Sequence, residues 1–299
     1  MTDELRIESR PHLERPVMIA AFRGWNDGGQ GASLAGAYLA RAWAAQRFAD
    51  IDPENFYDFQ ATRPLVSLVD GTSREIEWPE NAFYHAPLPG GGRDAILLLG
   101  VEPNLRWRTF SEYVARVAAD FGVELVVTLG SLLADVPHTR TSPVTGSATD
   151  PELIEQLGLQ ASRYEGPTGI VGVLHDAMGR VGVQSASLWA AVPHYVSLTP
   201  SPRAAKSLVD RLAELLQCDV DTGELDEAAD AYQRQVSEAV AADAETATYV
   251  EELERRIDEI TDDEEIPSGD AIAAELTRFL REHERRNGGP GGPDDVARG

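Results

Sequence analysis

Pro16–Phe22 is an unbroken apolar run of a length suited to a buried strand, and Arg23–Gly31 behind it holds four glycines in nine positions. Ala32–Trp43 then repeats at helical spacing through Leu34, Tyr38 and Leu39, with alanine at most other positions. A strand, a glycine loop and a small-residue helix open an α/β domain. Phe56–Gln60 alternates as a strand would. Arg63–Trp78 alternates through Leu65, Ser67 and Val69 and again through Ile76 and Trp78, and the Asp70-Gly71 between them signals a hairpin. Asp94–Gly100 and Val123–Gly130 are continuous apolar runs of the kind central strands need. Arg108–Phe121 carries Phe110, Val114, Val117 and Phe121 on one helical face.

Residues 1–15 read as a loose polar entry, and Ser131–Asp150 as a long irregular loop, a length that marks functional or disordered segments. Pro151–Leu157 is expected as a short helix capped by Asp150. Gly169–Met178 suits a helix, Val183–Val192 a strand, and Ser201–Leu216 a helix with Ser201 as cap and Pro202 at its first position. Beyond Cys218 the pattern changes. Glu224–Ile260 lacks Gly and Pro, and its apolar residues recur three to four apart, which predicts one long helix or two in line. After a break at Pro267-Ser268-Gly269, a last helix is expected over Asp270–Glu284. These shifts divide the chain into an α/β body over 1–217, an acidic helical extension over 218–285 and a disordered tail over 286–299.

With 299 residues the chain is long enough for a substantial core. Its formal net charge of −24 disfavours nucleic acid and anionic membrane surfaces, both of which would repel it. Residues 218–265 hold about eighteen acidic against three basic side chains, so most of that charge is concentrated there. One cysteine, Cys218, leaves no disulfide framework or cysteine-based metal cluster. Without a signal-like segment or an apolar run of spanning length, a cytoplasmic location is expected.

The candidate chemistry is sparse. Asp27 either caps the helix that follows or serves as a ligand or base; capping is the commoner use of Asp at such a place. Trp25 is either a stacking platform or, more commonly for an aromatic after a central strand, part of the core. His138 and Arg140, in the segment after Val123–Gly130, would face the glycine loop at the carboxyl ends of the strands, where open α/β sheets bind ligands. His138 with Asp27 would then form an acid–base pair; otherwise His138 and Arg140 only tie the loop to the backbone. His194 in Pro193-His194-Tyr195 either turns the chain or joins the same crevice, and His175 reads as structural. No metal site and no cofactor are expected: the loop lacks P-loop and GxGxxG spacing, and the histidines lack partners at ligand spacing. Ser131 lacks the flanking glycines of a nucleophile elbow.

Gly24-Trp25-Asn26-Asp27-Gly28-Gly29 resembles the GW-x-D-A/G-G signature of the PAC2 family, the proteasome assembly chaperone 2 group. Ser131 to Arg140 with its Pro-His-Thr-Arg end, Pro193-His194-Tyr195, and Ile266–Asp270 leading to Phe279-Leu280-Arg281-Glu282 are similar to its actinobacterial branch. The resemblance spans roughly residues 15–285 and implies a three-layer α/β/α fold of the phosphorylase/hydrolase-like type with a mixed sheet and a helical C-terminal extension. It further implies a homo-oligomer, often a trimer, and a protein partner, by analogy with relatives that bind proteasome α-subunits. Those relatives dock through a hydrophobic–Tyr–any-residue tail, whereas this sequence ends Asp295-Val296-Ala297-Arg298-Gly299, so docking of that kind is not expected. The resemblance supplies no catalytic residues. Gly24, Trp25, Asp27, Gly28, His138, Arg140 and His194 therefore stand as a candidate ligand site. Two expectations follow: a non-enzymatic assembly or scaffold protein that works through its surfaces, or a small-molecule binder or hydrolase- or phosphorylase-type enzyme with a pocket near Asp27 and His138.

Overall fold

The computed structural model describes residues 4–90, 92–148, 150–161, 164–196 and 198–262. In chain order the elements are β1 (Leu5–Ile7), β2 (Val17–Arg23), α1 (Gly31–Ala42), β3 (Gln46–Ile51), β4 (Leu65–Val69), β5 (Ser73–Glu77) and β6 (Asn81–Pro87). They continue with β7 (Asp94–Val101), α2 (Trp107–Asp120), β8 (Leu125–Ala134), β9 (Val144–Ala148), α3 (Pro151–Leu157), β10 (Gln160–Ala161), α4 (Ile170–Arg180) and β11 (Gln184–Pro193). The last three are α5 (Pro202–Leu216), α6 (Gly223–Ala241) and α7 (Ala244–Asp262).

Nine strands form one mixed sheet in the order β1-β3-β6-β7-β2-β8-β11-β9-β10. The four central strands, β7, β2, β8 and β11, run parallel; β6 and β9 flank them antiparallel. β2 is apolar at nearly every position because both of its faces are covered. Val17, Ile19 and Ala21 face α1, α3 and α5, with Leu39, Leu153 and Leu208 in that core. Met18, Ala20 and Phe22 face α2 and α4, with Phe110, Val114, Leu174 and Met178. Helices thus cover the sheet on both sides. Phe22 and Phe110 meet edge to face at 6.1 Å, and each fully buried side chain of this size contributes about 1.5–3 kcal/mol.

The caps read from sequence are present. Ser201 Oγ accepts from Ala204 N at 3.4 Å, and Asp150 Oδ1 from Glu152 N at 2.8 Å. The Asp70-Gly71 hairpin forms as β4 and β5, a two-stranded sheet separate from the large one. Other expectations need correction. Phe56–Gln60 is not a strand: Asp58 Oδ1 accepts from Gln60 N at 2.8 Å and turns the chain, a local bond that displaces a ladder. Phe56 instead packs at 5.7 Å against Phe110, and Tyr57 Oη donates to the Val101 carbonyl at 2.6 Å. Residues 1–15 are not all loose, since β1 edges the sheet against β3.

The 131–150 segment is shorter as a loop than its composition suggests. β8 continues through Ala134, paired with β11 to Pro193, and β9 adds on β11's other side. Small residues hide that strand: Gly146 admits Leu159 and Leu188, and the Ser147 and Ser187 hydroxyls bond across the ladder at 2.8 Å. Of the alternatives for 224–260, one long helix or two, two form. Asp243 breaks the run, its Oδ2 accepting from Thr246 N at 3.3 Å at the start of α7. The stripe on these helices is buried at Tyr232, Val236, Val250 and Leu253 and half-buried at Val240 and Ile257. The expected Asp270–Glu284 helix and the 286–299 tail lie outside the described residues.

Candidate functional site

The carboxyl ends of β2, β7, β8 and β11 meet at one end of the sheet, and the loops that leave them carry every candidate residue. The glycine loop leaves β2 and folds back over β8: Ser131 N donates to the Asn26 carbonyl at 2.9 Å. Gly28 sits so close to this strand that a Cβ there would stand 3.1 Å from the Leu132 backbone. Gly24 has φ +143°, and a Cβ on it would meet the Glu102 side chain at 2.8 Å. The glycines therefore admit the chain's own backbone and side chains at close range.

Asp27 lies inside this fold-back and is buried. Its Oδ1 accepts from Ala32 N at 2.9 Å, Ser33 N at 3.1 Å and Ser131 Oγ at 3.2 Å, and its Oδ2 from Ser33 Oγ at 2.5 Å. It satisfies the orphan N–H groups at the start of α1, as a capping carboxylate does. Burial pushes its carboxyl above the ordinary range, and the bonds from Ser33, Ala32 and Ser131 oppose that rise. Among the described residues, no imidazole is bonded to Asp27 or Ser131.

Trp25, for which the sequence offers a stacking platform or, more commonly, the core, is 58% exposed and so not in the core. The chain turns outward there because Glu102, just past β7, accepts from Trp25 N at 3.1 Å and from Asn26 Nδ2 at 3.2 Å. Glu102 also accepts from Ile170 N at 2.8 Å and so binds the start of α4. Sequence reading missed Glu102; the available signal was a lone carboxylate immediately after a central apolar run.

His138 lies elsewhere, under the C-terminal helices, and is 2% exposed. Its backbone N donates to Tyr195 Oη at 2.8 Å; its ring bonds Tyr195 Oη through Nδ1 at 2.8 Å and Ser237 Oγ of α6 through Nε2 at 3.0 Å. Burial lowers the pKa of the imidazole and pushes Tyr195 up to about 12. Arg140 pairs with Asp258 of α7 through two bonds of 2.9 and 2.8 Å and approaches Glu254 at 3.5 Å. His194 meets Asp135 at 3.0 Å, and Asp135 accepts from Tyr249 Oη of α7 at 2.9 Å.

The candidates thus divide into two sets. Gly24, Trp25, Asp27 and Gly28 surround the fold-back over β8, while His138, Arg140 and His194 fasten the 135–140 and 194–195 segments beneath α6 and α7. The hydrogen bonds of Asp27 and those of His138 share no residue. No group of three or more His, Cys, Asp or Glu that could hold a metal occurs among the described residues, and no described helix is long and apolar enough to cross a membrane.

The sequence pattern of the PAC2 family matches residues 21–240. The chain is similar to a PAC2 family protein from Streptomyces avermitilis, at 47% identity, TM-score 0.73, over 79% of this chain and 99% of that one. It is also similar to a Mycobacterium tuberculosis proteasome-assembly chaperone homologue, at 46% identity, TM-score 0.71, over 78% and 99% of the two chains. The fold extends to an archaeal proteasome activator from Pyrococcus furiosus, at 21% identity, TM-score 0.61, over 79% and 97%. No curated protein matches.

Proposed function

The chain belongs to the PAC2 family, and from that membership we propose that it is a non-enzymatic assembly chaperone or scaffold, acting as a homo-oligomer, a trimer in the simplest form. Its body then corresponds to a three-layer phosphorylase/hydrolase-like fold, and residues 218–285 to a C-terminal extension, whose α6 and α7 bind the 135–140 segment. One observation carries the reading. At the end where such sheets bind ligands, Gly28 packs against the Leu132 backbone and His138 is bonded to Ser237 of α6, while Trp25 faces solvent. Binding energy is therefore available on surfaces. The catalytic alternative requires Asp27, His138 and Arg140 in one space, and their separate bonding partners lend it no support.

The partner class is taken from the Mycobacterium tuberculosis and Pyrococcus furiosus relatives, whose names place them with proteasome assembly and activation. Proteasome α-subunits are the partner to test first, in a cytoplasmic setting. Purified chain and α-subunits are expected to co-elute and to form higher assemblies faster together than α-subunits alone. No co-elution, together with a raised melting temperature in nucleosides, phosphate or short peptides at micromolar concentration, would overturn the proposal in favour of a pocket.

A further inference from the structure

Ser237 of α6 bonds His138 at 3.0 Å, and Glu254 of α7 accepts from Thr139 Oγ1 on the very next residue. On one straight helix positions 237 and 254 would stand about 25 Å apart, so α7 folds back along α6. Only Ala242 and Asp243 separate the two elements, and Ala242 already has helical torsions, φ −77° and ψ −13°. The change of direction is therefore concentrated at Asp243. α6 is bound to the body through Leu225 in the core shared with α1 and α5, through Tyr232 Oη donating to the Leu198 carbonyl at 3.3 Å, and through Asp226 paired with Lys206 of α5 at 3.3 Å. α7 is held differently. Its Val250 and Leu253 are buried but belong to neither core of the sheet. Besides the Glu254 bond, Tyr249 Oη donates to Asp135 at 2.9 Å and Asp258 accepts from Arg140 at 2.9 and 2.8 Å. The Tyr249 ring meets those of His194 at 5.6 Å and Tyr195 at 6.0 Å.

We propose that α7 is an exchangeable arm, which in the oligomer docks on the 135–140 and 194–195 segments of a second copy; this rests on the homo-oligomeric reading above and names the contact that makes it. Exchange keeps every docking contact, because the second copy presents the same Asp135, Thr139 and Arg140, and it changes only the hinge. The hinge suits that change. Residues 224–260 hold no Gly or Pro, so with Asp243 in helical torsions the chain runs on as one helix. The backbone groups that each helix leaves unpaired at the break then bond one another. Charge favours the straight form. Residues 223–241 carry five acidic against one basic side chain and 244–262 seven against two, and the fold-back brings these like charges together. Charge also selects the occupant. Segments 131–143 and 193–205 hold Asp135 as their one carboxylate against Arg140 and Arg203, in a chain of net charge −24. A second copy brings a tyrosine and two carboxylates at the spacing that already fits them.

Cross-linking with a short bismaleimide, in full-length chains carrying Cys218→Ser, reads the exchange directly. Arg140→Cys and Asp258→Cys in one chain mark the contact. Placed on separate, co-expressed chains, the same two positions can be linked only between copies. The expected result is a 140–258 link in that mixed oligomer. Charge reversal gives a second reading by sedimentation. Arg140→Glu alone, and Glu254→Arg with Asp258→Arg alone, are each expected to associate roughly 10-fold more weakly than wild type. Co-expression of the two is expected to restore assembly, since each arm then meets a segment of opposite charge; a misfolded chain would not be rescued. A wild-type oligomer whose 140–258 links form within single chains, with no recovery from the charge-reversed mixture, overturns the exchange and leaves the homo-oligomeric reading standing. A monomeric wild type overturns both.

Discussion

Asp27 shows how one side chain decides between packing and chemistry. Its oxygens are occupied by the start of α1 and by Ser131, so Asp27→Ala is expected to lower stability by about 1–2 kcal/mol, with Asp27→Asn losing less, as read by chemical denaturation. Two equally stable variants would show that the carboxylate is not a cap. His175 acts on pH. It lies between Thr128 Oγ1 at 3.1 Å and Ser185 Oγ at 2.8 Å, and burial lowers its pKa to about 4 from 6.5. The unfolded chain takes up the proton first on acidification. Its contribution, about 3 kcal/mol, is therefore full above pH ~6.5 and is lost as pH falls toward 4. His138, also lowered, adds to the same trend. Urea midpoints at pH 7 and pH 5 should differ in that direction, and His175→Gln should narrow the gap; identical midpoints would contradict this. The capping role of Asp27 was legible because Asp before a helix has few other uses. The exposure of Trp25 was not, because it depends on Glu102, seventy-seven positions away.

Among the elements, α7 is fastened by a few side-chain contacts. Its apolar contacts centre on Val250 and Leu253, the latter 1% exposed, and its polar ones on Arg140 and Asp135. Leu253→Ala should cost about 2–3 kcal/mol of local stability. Hydrogen exchange should then quicken over 244–258 while β2 and β8 stay protected; uniform protection throughout α7 would contradict the docking. Arg140→Ala removes a half-exposed pair and should have the smaller effect. Elements with strong periodicity, such as β2, α2 and α5, could be read from sequence within a residue or two at each end. Those built on small or polar residues could not: β9 reads as loop because Gly146 serves the approach of Leu159 and Leu188 and Ser147 bonds to Ser187, and β1 is three residues at an edge.

For the whole molecule, the two sets of candidate residues give one picture: an end of the sheet where the glycine loop packs on β8 and α6 and α7 bind the 135–140 segment, with Trp25 turned outward. The covering of β2 on both faces follows from its unbroken apolar run, so the α/β class was readable from the chain alone, whereas the order of the strands was not. Nor was the bonding of Asp27 and His138 to different partners, because that of His138 depends on how α6 folds back over the 135–140 segment. Native mass spectrometry of the chain isolated under non-denaturing conditions tests the account most directly, since it reads both copy number and bound ligand. The predicted result is two or more copies of the 32.5 kDa chain, three in the simplest form, with no added small molecule. A single 32.5 kDa chain carrying a bound metabolite would contradict it.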